Sequence, residues 1–157
     1  MLGAALLLGG CASAPPYSSS PVVHRQISPE SARERSDVVL AAMSLLDVRY
    51  TWGGRGPATG FDCSGLVRHV FAEGAGRKIK GNAAQLAAQS TPVASGDLQP
   101  GDLVFFNTLG PEFSHVGVYI GADKFVHASN ERTGVRIDHL SNSYYAKRFE
   151  GARSLLD

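Results

Sequence analysis

The sequence constrains its fold most strongly over residues 60–67, Gly-Phe-Asp-Cys-Ser-Gly-Leu-Val, where a cysteine lies between a loop and a helix. Asp62 is a favoured N-cap residue, because its side chain can accept hydrogen bonds from the free N–H groups of the turn that follows. Apolar residues then recur at helical spacing, at Leu66, Val67, Val70 and Phe71. The stretch predicts a helix that begins at Cys63, buries one apolar stripe and stops near Gly74.

The position of Cys63 allows two interpretations of its thiol. Backbone N–H groups and the dipole at a helix N-terminus favour negative charge, which lowers the pKa of a thiol and makes it a nucleophile. The alternative is a buried, unreactive side chain, since free cysteines often pack as small apolar residues. The position of one cysteine does not decide between these alternatives.

Composition excludes several classes of protein. The 157 residues suit one domain with one core, and the apolar content of 43% against 18% charged residues predicts a folded chain. The net charge is only +1, and no basic run interleaved with aromatic residues is present. We therefore expect no nucleic-acid partner. No apolar run is long enough to span a bilayer.

The first 27 residues differ in composition from the rest. Residues 2–10 form a short apolar run that ends on Leu8-Gly9-Gly10-Cys11, and this run resembles a bacterial lipoprotein signal peptide. The resemblance implies that residues 1–10 are removed and that Cys11 carries the lipid; the alternative is an apolar N-terminus with an incidental cysteine. Residues 11–27 are rich in Ser and Pro, as solvated linkers are. We expect the folded domain over residues 28–157.

The cysteine count supports this division of the chain. Cys11 and Cys63 are the two cysteines of the sequence. If Cys11 carries lipid, Cys63 remains an unpaired thiol in an oxidising compartment, and catalysis is one reason to keep such a thiol. A disulfide between the two cysteines is the competing possibility.

The order of predicted elements indicates an α+β domain. A helix is expected to follow the N-cap type Ser28, with Pro29 at its first position, and to run to about residue 46. A short helix is expected over residues 82–89. Short β-type runs then follow at residues 103–106, 116–120, 125–128 and 135–138. Helices followed by strands predict N-terminal helices packed on an antiparallel sheet.

Two histidines lie on the predicted strands. His115 opens a run whose valines and Ile120 share one face, so that His115 lies on the other face. His127 lies in the next run, and a hairpin through residues 121–123 would make the two imidazoles cross-strand neighbours. A cysteine at a helix tip, a histidine facing it and a polar group behind that histidine form a nucleophile, a base and an orienting group.

A metal site is the rival use of Cys63, His115 and His127. Structural zinc sites usually contain closely spaced ligand pairs such as C-x-x-C or H-x-x-x-H. Neither spacing occurs in the sequence. We therefore expect no metal and no other cofactor.

Five motifs in order resemble the NlpC family of bacterial cell-wall cysteine peptidases. They are Tyr50-x-Trp52-Gly53-Gly54, the run at residues 60–67, Gln99-Pro100-Gly101-Asp102-Leu103, Ser114-His115-Val116-Gly117-Val118-Tyr119 and Phe125-Val126-His127-Ala128. They span about half of the chain. The resemblance implies a compact papain-like α+β fold and hydrolysis of the stem peptides of peptidoglycan.

The resemblance also assigns catalytic roles. It makes Cys63 the nucleophile, His115 the base and His127 the residue that orients His115. From the helix N-terminus and a protonated His115 we expect a lowered pKa for the Cys63 thiol and rapid alkylation below neutral pH.

Three further residues are expected at the substrate. Tyr50 could be a core tyrosine or a hydrogen-bond donor that faces the reaction centre. The family resemblance favours the second role, in which Tyr50 helps to bind the oxyanion. It also implies that Asp62 and Ser64 line the substrate groove.

The expected partners and location follow from the two resemblances. The expected substrate is the stem peptides of peptidoglycan. Lipid on Cys11 is expected to attach the protein to a membrane on the periplasmic side of the cell envelope. Ala12, the residue after the lipidated cysteine, permits sorting to the outer membrane. We expect a monomer.

Two alternative functions remain: an amidase or acyltransferase on the same scaffold, and a non-catalytic lipoprotein that binds peptidoglycan. Two bonds are candidates for cleavage: the D-glutamyl–diamino-acid bond within a stem and the cross-link between stems.

Overall fold

The computed structural model describes residues 25–157, so the predicted signal peptide and the predicted lipidation of Cys11 lie outside the described residues. The helices are α1 (Pro29–Met43), α2 (Cys63–Ala75), α3 (Ala83–Gln89) and α4 (Ser143–Ala146), with a 3₁₀ turn at Ser95–Asp97. The strands are β1 (Arg55–Gly56), β2 (Gly60–Phe61), β3 (Thr91–Val93), β4 (Leu103–Phe106), β5 (His115–Gly121), β6 (Lys124–Ala128), β7 (Val135–His139) and β8 (Phe149–Ser154). From residue 25 onward, no helix has the length and apolar character that crossing a bilayer requires.

Helix α1 begins as predicted but ends earlier. The Ser28 hydroxyl accepts a hydrogen bond from the Ser31 N–H at 3.1 Å, and Pro29 occupies the first turn. The predicted end at residue 46 is wrong, because the chain leaves the helix after Met43. The Asp47 N–H then donates to the carbonyl of Val135 at the start of β7. After Met43 the chain forms turns with hydrogen bonds between residues three apart and then this tertiary hydrogen bond, although apolar residues continue beyond the helix.

Helix α2 begins at Cys63 with Asp62 as its N-cap, as predicted. It ends at Ala75, one residue beyond the predicted stop near Gly74, and its C-cap is Gly76, with φ 64°. Gly74 serves helix packing instead. A Cβ atom at this position would lie 2.6 Å from the backbone nitrogen of Val38 in α1, so only glycine allows the two helices to approach this closely.

The main sheet has six strands in the order β3-β8-β4-β5-β6-β7, and all neighbouring strands are antiparallel. The four predicted strands are present within one residue of their expected ends. The prediction missed β3 and β8. Strand β8 lies between β3 and β4, so the last strand of the chain enters the interior of the sheet. The α+β class is confirmed.

The two faces of the sheet pack differently. The face towards α1 and α2 carries the main core, which includes Leu66 and Phe71 from α2 and Val116 and Val118 from β5. The opposite face carries a smaller cluster: Val104, Phe106, Phe125, Tyr145 and Ala152. Because side chains alternate along a strand, β5 directs its valines to the main core and His115 to the smaller cluster.

A buried charge network joins both ends of the described chain. Asp102 is fully buried and accepts hydrogen bonds from Arg35 at 2.8 Å and from Arg25 at 2.7 and 2.9 Å. Arg35 also contacts Asp157 at 2.6 Å, and Arg25 forms an ion pair with the same residue. The predicted Gln-Pro-Gly-Asp turn therefore supplies the carboxylate that holds α1, Arg25 and, through the arginines, Asp157 beside the start of β4.

We expect Asp102→Ala to lower the free energy of unfolding by about 3–5 kcal/mol, because it removes the fully buried carboxylate that Arg25 and Arg35 share and leaves both guanidinium groups with Asp157 alone as an ionic partner among residues 25–157. Urea denaturation followed by circular dichroism measures the change. Glu34→Ala is the control, since it breaks the partly exposed ion pair with Arg77 and should cost at most about 1 kcal/mol. Equal losses in the two variants would contradict this view of the network.

Candidate active site

A cavity of about 180 Å³ lies where the start of α2 meets the start of β5. Its walls include five of the residues singled out from the sequence, which are Tyr50, Asp62, Cys63, Ser64 and His115. His127 lies beneath His115 and is fully buried. The structure therefore brings the predicted nucleophile and base into one cavity, with the predicted orienting residue behind them.

The Cys63 side chain is half-buried and its thiol is free. Backbone N–H groups of Val116, Ser64 and Cys63 itself lie close enough to the sulfur to favour its negative charge and to lower the pKa of the thiol. Val116 directly follows His115, so the sulfur lies at the N-terminal end of β5. The possible disulfide with Cys11 lies outside the described residues.

Asp62 holds the turn before α2 through three donors. One carboxylate oxygen accepts from the Gly65 N–H at 2.6 Å and from the Ser64 hydroxyl at 3.0 Å. The other oxygen accepts from the Gly53 N–H at 3.0 Å. The N-cap therefore places a negative charge immediately beside the Cys63 thiol.

The pKa of the Cys63 thiol is raised to about 11, first by burial and then by the Asp62 carboxylate. The three backbone N–H groups lower this pKa, but they are outweighed. The expectation of a lowered pKa is therefore wrong. It counted the helix N-terminus and a protonated histidine, but not the loss of water around the sulfur or the charge of the capping residue.

The two histidines contact each other, as predicted. The Nε2 atom of His115 lies 2.7 Å from the Nδ1 atom of His127. The close approach depends on Gly117, which lies between them on the same face. A Cβ atom at Gly117 would lie 2.7 Å from the Phe125 ring and 3.2 Å from the His127 Cβ atom. Glycine thus leaves the space that the His127 ring needs beside His115.

Both imidazoles are neutral near pH 7. Burial first, and then the charge of His127, lower the pKa of His115 to about 3, although Asp138 opposes the shift. Burial likewise lowers the pKa of His127, although Asp138 opposes the shift. Cys63 and His115 therefore rest as a thiol and an imidazole, not as the ion pair that we expected from the sequence.

Asp138 is the site residue that sequence reasoning missed. One of its oxygens lies 2.8 Å from the Nε2 atom of His127, and the other accepts from Arg136 at 2.8 Å. Burial raises the pKa of Asp138, but His127 and Arg136 outweigh it and hold the pKa below its usual value. An acidic residue inside the short strand Val-Arg-Ile-Asp-His was the available signal. Its use required knowing that β7 pairs with β6.

Tyr50 borders the cavity and also packs against the main core. Burial raises the pKa of its phenol to about 12, with further contributions from Cys63 and Asp62. The hydroxyl therefore keeps its proton and is available as a donor. Both roles considered for Tyr50 are compatible with its position. Across residues 25–157, no group of three or more His, Cys, Asp or Glu side chains is arranged to hold a metal ion.

Comparison with known proteins gives consistent matches. A family model described as "NlpC/P60 family" matches residues 47–154. The gamma-DL-glutamyl hydrolase of Bacillus subtilis is 37% identical over 138 residues, which are 87% of this chain and 33% of that protein. The murein DD-endopeptidase MepH of Escherichia coli is 37% identical over 117 residues, 73% of this chain and 43% of that protein. The chain thus spans less than half the length of either relative.

A solved structure also matches. The crystal structure of an NlpC/P60 family protein from Bacillus cereus superposes with a TM-score of 0.73 at 28% identity. The match covers 78% of this chain and 40% of that one. The mixed helix and sheet architecture described above is therefore shared with a solved protein of that family.

The raised thiol pKa predicts the alkylation behaviour of Cys63. In a Cys11→Ser background, we expect the rate of reaction with iodoacetamide to keep rising above about pH 8.5. An ordinary thiol has a pKa of about that value, and the pKa of Cys63 is higher. Asp62→Asn keeps the helix cap but removes the adjacent charge, so its rate midpoint should fall by roughly 0.5–1 pH unit, a threefold to tenfold gain in thiolate at fixed pH.

Glu73→Gln is the matched control, because it makes the same charge change near the other end of α2. Its profile should coincide with that of the parent protein. A parent midpoint below neutral pH, or a midpoint that Asp62→Asn leaves in place, would contradict the assignment of burial and Asp62 as the causes.

Proposed function

The chain belongs to the NlpC/P60 family, and on that premise we propose that it is a cysteine-type endopeptidase that hydrolyses amide bonds in peptidoglycan stem peptides. The observation that carries the proposal is the cavity that Cys63 and His115 share, with His127 hydrogen-bonded behind His115. Relatives named as a glutamyl hydrolase and a murein endopeptidase support the same reaction class.

The resting protonation states determine the first step of the proposed mechanism. A free thiolate is unfavourable beside Asp62, so the proton leaves the sulfur only as the sulfur attacks the substrate carbonyl. His115 accepts that proton as a general base. The Nε2 atom of His115 is hydrogen-bonded to His127, so the Nδ1 atom of His115 is the nitrogen available to the thiol.

The tetrahedral intermediate needs donors for its oxyanion. Backbone N–H groups at the start of α2 and the protonated hydroxyl of Tyr50 are suited to this role. Protonated His115 then gives its proton to the leaving amine, and the amide C–N bond breaks. His115 next removes a proton from water as the water oxygen attacks the thioester carbonyl. The C–S bond then breaks and His115 returns the proton to the sulfur, which releases the acid product and the Cys63 thiol.

The shape of the surface suits an extended peptide. A second cavity, of about 210 Å³, adjoins the first and shares Thr108, Leu109, His115 and Ser129 with it. Large exposed apolar side chains border both cavities, namely Trp52 and Leu109 at the first and Leu109 and Tyr144 at the second. A groove that passes His115 on both sides would hold a substrate segment on each side of the cut bond.

We expect the protein to create new stem-peptide termini when it digests purified disaccharide peptides of known linkage. Separate incubations with uncross-linked stems and with cross-linked dimers, analysed by mass spectrometry, identify the bond that is cut. Cys63→Ala should reduce cleavage by at least about 10³-fold, because no other group can form the thioester. Cys11→Ser is the matched control and should keep full activity.

Two outcomes of this digestion would overturn the proposal. Binding to peptidoglycan without cleavage, unchanged by Cys63→Ala, would favour a non-catalytic binding protein. Products formed without new stem-peptide termini, and lost in Cys63→Ala, would favour an amidase or acyltransferase on the same scaffold.

The same proposal includes attachment to a membrane through lipid on Cys11. Support comes from the apolar run that ends on Leu8-Gly9-Gly10-Cys11 and from the Ser- and Pro-rich residues that follow it. Arg25 is bound to Asp102 and Asp157, so residues 12–24 separate the proposed lipid from the anchored start of the domain. Such an arrangement would present the domain to the cell wall from the periplasmic side of the envelope, at the outer membrane.

We expect Cys11→Ser to move the protein from the membrane fraction to the soluble periplasm, because a thioether-linked lipid cannot form on serine. Fractionation followed by immunoblotting measures the change. Cys63→Ser is the control, since it alters the other cysteine and should stay in the membrane fraction. An unchanged distribution of Cys11→Ser would contradict lipidation at this residue.

A further inference from the structure

Asp138 lies at the end of a hydrogen-bonded chain that starts at the cavity. His115 contacts His127 at 2.7 Å, and His127 contacts Asp138 at 2.8 Å. All three residues are at least nine-tenths buried. A chain of this kind does more than hold rings in place, because each link fixes which nitrogen of the next ring carries the proton.

The direction of hydrogen-bond donation between these three residues follows from the ionised Asp138 carboxylate. The Asp138 carboxylate can only accept, so the Nε2 atom of His127 carries a proton and donates it. Neutral His127 then has a bare Nδ1 atom, which must accept from the Nε2–H of His115. The remaining nitrogen of His115, Nδ1, is therefore unprotonated.

We propose that Asp138 sets the tautomers of His127 and His115 together, and thereby keeps the Nδ1 lone pair of His115 available to the Cys63 proton. The inference rests on the proposed function for its catalytic consequence, but not for the tautomers themselves. Asp138 touches no reacting atom and is a positioning residue.

The surroundings leave the chain few alternatives. From β7, Arg136 donates to the Asp138 oxygen that His127 does not use. From α4, the Tyr145 hydroxyl lies 3.4 Å from the Nε2 atom of His127, and its ring packs edge-on against the imidazole. From β6, the Phe125 ring centroid lies 4.7 Å from that of His127. Arg136 and the two packed rings hold His127 and Asp138 facing each other, and the Tyr145 hydroxyl is a second, longer polar contact of the Nε2 atom of His127.

Asp138→Asn tests the proposal because it reverses the direction of donation along the hydrogen bonds that join His115, His127 and residue 138. Arg136 would hold the amide oxygen, which turns the amide NH₂ group towards the Nε2 atom of His127. That nitrogen must then accept, so the proton of His127 moves to Nδ1 and points at His115. His115 in turn carries its proton on Nδ1, where it blocks transfer from Cys63. Each histidine remains neutral, and only the nitrogen that carries its proton changes.

The tautomers are read directly from ring ¹⁵N chemical shifts in the full chain carrying Cys11→Ser. We expect both histidines to show unprotonated Nδ1 atoms in the parent and protonated Nδ1 atoms in Asp138→Asn. Asp123→Asn is the matched control, since Asp123 lies in the turn between β5 and β6 and pairs at 3.4 Å with the exposed side chain of His139, the last residue of β7. It should leave the His115 and His127 signals in place.

Activity supplies a second readout. We expect Asp138→Asn to lower kcat by about 10³–10⁴-fold with little change in KM, as for a wrongly held tautomer. Asp138→Ala, which permits both tautomers, should lose less. Adding Arg136→Met to Asp138→Asn frees the amide to rotate and should restore part of kcat. A purely structural role predicts the opposite order, with the isosteric Asn variant more active than Ala.

The outcomes separate this inference from the proposed function. Unchanged tautomers in Asp138→Asn, or higher activity for Asn than for Ala, would overturn the role of Asp138. Reversed tautomers in a protein that cleaves no stem peptide would support that role and overturn the endopeptidase proposal instead.

Discussion

Packing of the apolar stripe of α2 against β5 is the constraint on which the site depends. Leu66 and Val67 are fully buried in the core that also holds Val116 and Val118. Because the first residue of α2 is Cys63 and the first residue of β5 is His115, this packing brings both into one cavity. Each fully buried aliphatic side chain contributes roughly 1.5–3 kcal/mol, so the geometry is held by the core and not by the polar groups at the cavity.

Competition between burial and local dipoles determines the chemistry of the site. The helix N-terminus offers hydrogen bonds to the Cys63 sulfur, yet burial and the Asp62 carboxylate raise the thiol pKa to about 11. Burial also lowers the pKa of His115 to about 3. Both shifts favour neutral partners. In the proposed mechanism the proton therefore stays on the sulfur until the sulfur attacks a substrate carbonyl, and the proposed role of Asp138 is to determine which nitrogen of His115 receives that proton.

Much of the fold was predictable from local pattern. The caps at Ser28 and Asp62 and the four strands from residue 103 to residue 139 were identified because capping and alternation are short-range effects. The errors lie where distant segments meet. Gly74 resembles a helix stop but serves the contact with α1, and the residues that follow Met43 turn away from the helix towards β7, where Asp47 bonds to Val135. Strand β8 was missed because its place inside the sheet depends on partners remote in sequence.

The sequence by itself determined the α+β class, the helix that presents Cys63 and the two histidines on neighbouring strands, since residue type and spacing specify these features. Only the tertiary structure decided the protonation of the site and the presence of Asp138 in it. Protonation depends on how much water the packed domain excludes, and the contact of Asp138 with His127 depends on the pairing of β6 with β7. Exclusion of water and strand register both arise from the assembly of distant segments, and neither can be read from the neighbours of a residue along the chain.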